Sequence, residues 1–150
     1  MELQNRTGPD WLHAKLTAGE LIVIDGAMGT ELEARSVPMH GKAWSGAAAL
    51  SHPEVVRAIH KDYIAAGAEV IIANTFSSGR QVLEPAGFAD AVADINRRAV
   101  ELARQARDEA ASGPVAVAGS ICEWAAPEGA WVRSATSHQL PSGARARSAA

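Results

Sequence analysis

Cysteine is almost missing from this chain of 150 residues. Cys122 stands alone, so no disulfide forms within the chain and the small disulfide-built secreted class is excluded. Positive charge is not in excess either. Fourteen Lys and Arg against seventeen Asp and Glu leave a formal charge of −3, which gives no electrostatic basis for binding nucleic acid or an anionic membrane. No apolar run approaches the roughly 20 residues of a membrane span. The first residues, Met1-Glu2-Leu3-Gln4-Asn5, have neither the basic nor the apolar region of a secretion signal. Aromatic residues are scarce, at 5 %. What is present is Ala, Val, Ile and Leu in a length suited to one domain with a real core, and a cytoplasmic location is the expectation.

The chain is organised around Leu21-Ile22-Val23-Ile24-Asp25-Gly26-Ala27-Met28-Gly29-Thr30-Glu31-Leu32. Four apolar residues, three of them β-branched, predict a short buried strand. The strand ends on a carboxylate, Asp25. Gly26 and Gly29 then allow a tight turn and close approach to a ligand. Thr30 and Glu33 stand at capping-box spacing and predict a helix start. An acid delivered to the carboxyl end of a strand, ahead of a glycine turn and a helix, is how an α/β active-site edge is built. Taken alone, an Asp25 that merely caps its turn explains the same residues better.

Upstream, Asp10 is placed to cap a short helix carrying Trp11, Leu12 and Leu16, with Gly19 as its stop. Residues 36–50 read as an irregular loop around Trp44, broken by Pro38, Gly41 and Gly46. Ser51-His52-Pro53-Glu54 combines a capping-box pair with Pro in the first turn and predicts a helix. Val55, Val56, Ile59, Tyr63 and Ile64 recur at helical spacing before Gly67. Residues 69–76 form a second predicted strand. Val92, Ile95, Ala99, Leu102, Ala103 and Ala106 mark one face of a long helix stopped by Gly113-Pro114, and residues 115–121 form a third strand.

Strand, helix, strand, helix, strand predicts βαβ units and a parallel sheet. Polar residues gather at the same end of each strand: Asp25 and Gly26, Asn74 and Thr75, Gly119 and Ser120. That end is where such sheets bind ligands. The dinucleotide and phosphate-loop fingerprints are both absent. His13, His40, His52, His60 and His138 are scattered and are expected in solvent or capping roles. Cys122 is expected to be a small core or loop residue, although a thiol at a strand end can touch a ligand. From Val132 onward only Val132 and Leu140 are large and aliphatic. Three Arg and no acid occur there, leaving −6 on residues 1–131. A disordered tail over 132–150 is the expectation.

Asp25-Gly26-Ala27-Met28-Gly29-Thr30-Glu31-Leu32, Trp44-Ser45, His52-Pro53-Glu54-Val55-Val56, His60-Lys61-Asp62-Tyr63-Ile64 and Ala66-Gly67-Ala68 resemble the homocysteine S-methyltransferase family. Asn74-Thr75-Phe76 and Val117-Ala118-Gly119-Ser120-Ile121 continue the resemblance in order, over roughly residues 10–129. It looks nearest to the S-methylmethionine-using branch. The resemblance implies a (β/α)₈ TIM barrel, with about three of its βα units in residues 1–131 and the barrel incomplete. It implies a zinc ion held by three cysteine thiolates, on which homocysteine becomes a thiolate nucleophile and takes a methyl group to give methionine. Asp25 and Gly26 would hold the homocysteine amino group. Trp44 would lie near a cationic donor, by cation–π attraction, or else pack on the rim as a lid. Asn74 and Thr75 would contact substrate or, with slightly better support, satisfy the strand end.

The family's three zinc cysteines lie in later strands, and Cys122 matches none of them. No catalytic or metal-binding residue and no bound zinc are therefore expected in this chain, which reads as a truncated or out-of-frame form, inactive alone. Homocysteine and a methyl donor are the expected partners, with self-association through the open edge of the third strand. Two other readings stand beside this one. One is a non-catalytic amino-acid-binding module or self-assembling partial barrel; the other is an unrelated small α/β enzyme using Asp25 and Cys122.

Overall fold

The computed structural model describes residues 9–121. Three extended segments run side by side within it. Strand β1 (Val70–Ala73) pairs in parallel with β2 (Ala116–Gly119), with Val70 opposite Ala116 and Ala73 opposite Gly119. On the other flank of β1, Ile24 makes a single parallel bridge to Val70. There Glu69 N donates to the Val23 carbonyl at 2.8 Å and Asp25 N donates to the Val70 carbonyl at 2.9 Å. The spatial order is thus the chain order, with a helical crossover between neighbours, as in the wall of a βα barrel.

The helices are α1 (Asp10–Thr17), α2 (Met28–Ala34), α3 (Ala48–Ser51), α4 (Pro53–Ala65), α5 (Arg80–Leu83) and α6 (Val92–Ala110), with a 3-10 turn at Ala89–Ala91 before α6. The expected stripe on α6 is the buried one: Ile95, Ala99, Leu102, Ala103 and Ala106. Its small residues let α4 approach closely with Val56, Ile59, His60 and Ile64. Leu32 of α2 joins Val56, Ile59, Ala99 and Leu102 in one core cluster, while Ile71 and Ala73 of β1 pack with Ile64, Ala68 and Ala103 in another. Gly19 (φ +72°) and Gly67 (φ +103°) end α1 and α4 in the left-handed conformation, where glycine carries no steric penalty.

Several expectations are corrected. The first strand is neither regular nor buried: Leu21 is 90 % exposed, and Val23 and Ile24 are more than half exposed. Only β1 lines one of its edges, and no described element covers the other edge or the outward side chains. The helices start without the predicted caps. The N-cap positions are Pro9, Ala27 and His52, and none makes a side-chain capping bond. Asp10 is the first helical residue, Thr30 lies inside the first turn of α2, and Ser51 belongs to α3. Asp10, Glu31 and Glu54 instead place charge in the first turns, where it complements the helix dipole. The loop at 36–50 contains α3 and a closed turn between His40 and Trp44. The second and third strands are four residues each; just past them the Asn74 side chain bonds the Ser45 carbonyl and the Thr75 hydroxyl takes the main chain of Ser120 in place of a ladder partner.

Charged links tie the pieces at the surface. Lys15 of α1 pairs with Glu69, whose second oxygen accepts from Val23 N at 3.3 Å. Arg35, just past the end of α2, reaches Asp62 of α4 at 2.9 Å, and Glu109 of α6 accepts from Arg57 at 2.8 Å and Lys61 at 3.1 Å. Exposed pairs of this kind contribute about 0–1 kcal/mol each, so they orient the helices more than they hold them.

Candidate active-site rim

The first feature of the site is a substitution in the sheet ladder. A parallel ladder continuing past Ile24 presents the Asp25 carbonyl to Ile72 N. Here the Asp25 side chain takes that bond, Oδ2 accepting from Ile72 N at 2.7 Å. The residue is only 9 % exposed, and Oδ1 is buried with no hydrogen-bond partner among the described residues. Burial pushes the Asp25 carboxyl above its ordinary range, against the opposing pull of its main-chain hydrogen bonds. A buried carboxylate oxygen without a donor is a costly arrangement unless a cation or donor arrives to meet it.

Two glycines shape what lies around that carboxylate. A β-carbon on Gly26 would stand 2.8 Å from the Tyr63 hydroxyl, which donates to the Ala27 carbonyl at 3.1 Å. A β-carbon on Gly29 would overlap the Trp44 ring, so the ring lies directly over this glycine. Trp44 itself has φ +48°. That conformation is unusual for a bulky residue and costs on the order of 1–3 kcal/mol, so neighbouring bonds must hold it. Beyond it, the Ser45 carbonyl accepts from Asn74 Nδ2 at 2.9 Å, and Gly46 packs against the Ser77 carbonyl with no room for a side chain.

Thr75 latches the next strand end. Its hydroxyl accepts from Ser120 N and donates to the Ser120 carbonyl, both at 2.8 Å. Thr75→Val keeps the shape and leaves both Ser120 groups unpaired. It is expected to cost about 2 kcal/mol in chemical denaturation, with little change in ligand binding. A loss under a few tenths of a kcal/mol would show that the latch is idle.

The structure therefore joins Asp25, Gly26, Trp44, Asn74 and Thr75 into one rim at the carboxyl end of the sheet, in part through Gly29 and Ser45. Asn74 and Thr75 spend the hydrogen bonds described here on protein groups, as strand-end residues. The buried Ser78 was not among the residues expected from the sequence; its hydroxyl donates to Asn96 Oδ1 at 2.6 Å, while Asn96 Nδ2 donates to the Ser78 carbonyl at 2.8 Å. The polar Asn96 beside the apolar stripe of α6 was its only signal. His60 is a correction: it is fully buried, not solvated or capping, and both ring nitrogens lack partners among the described residues. An apolar cleft of about 440 Å³, lined in part by Met39, His40, Trp44, Leu50 and Phe88, borders the Trp44 side of the rim, and Asp25 does not line it. Cys122 and residues 132–150 lie outside the described residues.

With this geometry in hand, comparison with known proteins is decisive. Residues 22–140 match the family model of homocysteine S-methyltransferase. The chain belongs to the homocysteine S-methyltransferase family. That membership removes the unrelated α/β enzyme, and the match runs to residue 140, past residue 129 where the resemblance was expected to end. The homocysteine S-methyltransferase of Escherichia coli (strain K12) is 36 % identical over 121 residues, covering 73 % of this chain and 37 % of that protein. Homocysteine S-methyltransferase 4 of Zea mays is 38 % identical over 91 residues, covering 60 % of this chain and 27 % of that protein. The crystal structure of the metallated homocysteine methyltransferase MmuM from Escherichia coli superposes with a TM-score of 0.65 at 34 % identity, over 73 % of this chain and 40 % of that one. The fold is accordingly part of the family's TIM barrel, and the chain spans between about a quarter and two fifths of the length of these relatives.

Proposed function

We propose that this chain carries the amino-acid-binding rim of a homocysteine S-methyltransferase, with Asp25 as acceptor for the ammonium group of homocysteine. The observation that supports this most is the buried, partnerless Oδ1 of Asp25 at the carboxyl end of the sheet. An ammonium there would supply the missing donor and restore a normal ionised carboxylate. Gly26 offers exposed main chain beside Asp25, with the Tyr63 hydroxyl standing where its side chain would be, and Trp44 presents an aromatic face suited to a cationic methyl donor such as S-methylmethionine. In the reaction the homocysteine thiol loses its proton, its sulfur forms the new bond to the methyl carbon, and the donor sulfonium leaves as a neutral thioether.

Activation of that thiol is assigned to zinc in the family, and the residues of this chain do not fit a three-thiolate site. The chain has one cysteine, and among the described residues no group of three His, Cys, Asp or Glu is placed to hold a metal. The chain is accordingly proposed to bind substrate without transferring methyl by itself. Elemental analysis of the purified chain is expected to find far less than one zinc per chain; stoichiometric zinc lost in Cys122→Ser would overturn this. Self-association through the open edge of β2 stays part of the proposal, supported by the exposed Ile121 just past that strand; the exposed Leu21, Val23 and Ile24 lie at the opposite side of the sheet. The ammonium assignment is tested by calorimetric titration with L-homocysteine and with 4-mercaptobutanoate, which lacks the amino group. Binding of homocysteine alone supports it, and equal binding of both contradicts it.

A further inference from the structure

We infer that His40 is a positioning residue, whose imidazole closes the turn that seats the Trp44 ring at the rim. His40 Nδ1 accepts from Lys42 N at 3.2 Å and from Ala43 N at 3.1 Å. Acceptance from the second and third amides downstream is the pattern an Asp or Asn side chain makes in an Asx turn. Here an imidazole does it, which requires Nδ1 to be the unprotonated nitrogen. The same residue exchanges both main-chain bonds with Trp44: His40 N donates to the Trp44 carbonyl at 2.9 Å, and Trp44 N donates to the His40 carbonyl at 2.7 Å.

The rest of the turn is braced from the Phe88 side. The Phe88 ring meets His40 edge-on, with centroids 5.5 Å apart at 68°, and Lys42 Nζ donates to the Pro85 carbonyl at 3.1 Å. These bonds enclose the residue whose φ is +48°. A left-handed tryptophan relaxes to ordinary backbone once the turn that imposes it opens. Its ring then leaves Gly29, a position that only a glycine makes available. His40 thus acts on the rim through Trp44, and what acts is the acceptor at Nδ1, not the bulk of the ring. The functional consequence, a donor face held in place, rests on the proposed role of Trp44; the positioning itself does not.

The test uses the full chain with Trp11, Trp124 and Trp131 replaced by Phe, so that Trp44 alone fluoresces. His40→Asn retains an acceptor at the same distance from the backbone. His40→Phe retains the ring without the acceptor, and His40→Gln moves the acceptor one methylene away. Acrylamide quenching of Trp44 is expected to stay unchanged in His40→Asn. In His40→Phe and His40→Gln it is expected to rise about twofold, toward a free ring from one that is 42 % exposed. Either of the last two variants suffices if the other does not fold. Unchanged quenching in both, with or without a loss of stability, overturns the inference, and so does a His40→Asn that behaves like His40→Phe. Titration of the His40-intact protein with S-methylmethionine, read by the same fluorescence, is a separate arm. No response there counts against Trp44 as the donor face and leaves the positioning result standing.

Discussion

Asp25→Asn is expected to make the free chain more stable at neutral pH while weakening homocysteine binding about 100-fold, the loss typical of removing one partner of a buried charge pair. The two effects share a cause. Burial raises the Asp25 carboxyl above its ordinary value of 3.8, so the folded chain holds the ionised form at a cost. A group whose folded pKa is raised favours folding at low pH, where it is protonated in both states, and that favour is lost as pH rises through the folded value. The advantage of Asp25→Asn should therefore be present at neutral pH and vanish in acid. Asparagine keeps an acceptor for Ile72 N, so the sheet end is preserved. Thermal unfolding across pH checks the stability and calorimetry checks the affinity. A variant that is less stable and binds equally well would reduce Asp25 to a turn cap.

Acidification is expected to destabilise the chain by about 3 kcal/mol through His60 alone, from the shift in its pKa at about 1.4 kcal/mol per unit. Burial lowers the imidazole from 6.5 to about 4, and neither ring nitrogen has a hydrogen-bond partner among the described residues. The sign follows from which state takes the proton. The unfolded ring protonates near 6.5, while the folded ring resists until about 4. The stability is full above 6.5, falls between those two values and levels off below the lower one. Glu69 and Glu109 are shifted down by their Lys and Arg partners, so their contributions disappear only at and below the ordinary carboxylate range. His60→Leu should remove the slope between 6.5 and 4 and also unfold at higher urea at neutral pH, because a buried polar ring without partners is replaced by an apolar side chain. Urea midpoints for both proteins across that window decide the matter. Parallel slopes would mean that His60 is solvated in a way its position does not suggest.

The parts of the fold legible in the sequence were those set by local periodicity and by glycine. The α6 stripe was read correctly because 3.6-residue spacing alone decides which face is buried. Gly19 and Gly67 announced their helix ends because the left-handed conformation is a property of the residue. Helix starts were less legible. Thr30 and Ser51 stood at good capping spacing, but the turn after Gly26 and the short α3 had already placed them inside helices. Residues 21–24 looked like a core strand because composition reports hydrophobicity and not coverage. His60 was legible by position, four residues from both Val56 and Ile64 on the buried stripe of α4, but its polar ring argued for solvent or a cap and outweighed the spacing. At the rim, Asp25 and its glycines were legible as a strand-to-turn junction, and the order of motifs carried the family. The orphaned Oδ1 comes from a contact between segments distant in sequence and the left-handed Trp44 from one unusual backbone angle, while the imidazole closing its turn is a local bond for which Asp or Asn, not His, is the usual signal.

The most direct measurement of the central claim is a carbon-13 NMR titration of the Asp25 side-chain carboxyl, assigned by its loss in Asp25→Asn, with and without saturating L-homocysteine. In the free chain the carboxyl should titrate above the ordinary aspartate value, because it is buried with one oxygen unpaired. With homocysteine bound it should fall below its free value, because an ammonium now faces that oxygen and favours the ionised form. A carboxyl that titrates identically in both samples, with homocysteine shown to be bound, would contradict the assignment of Asp25 as the ammonium acceptor.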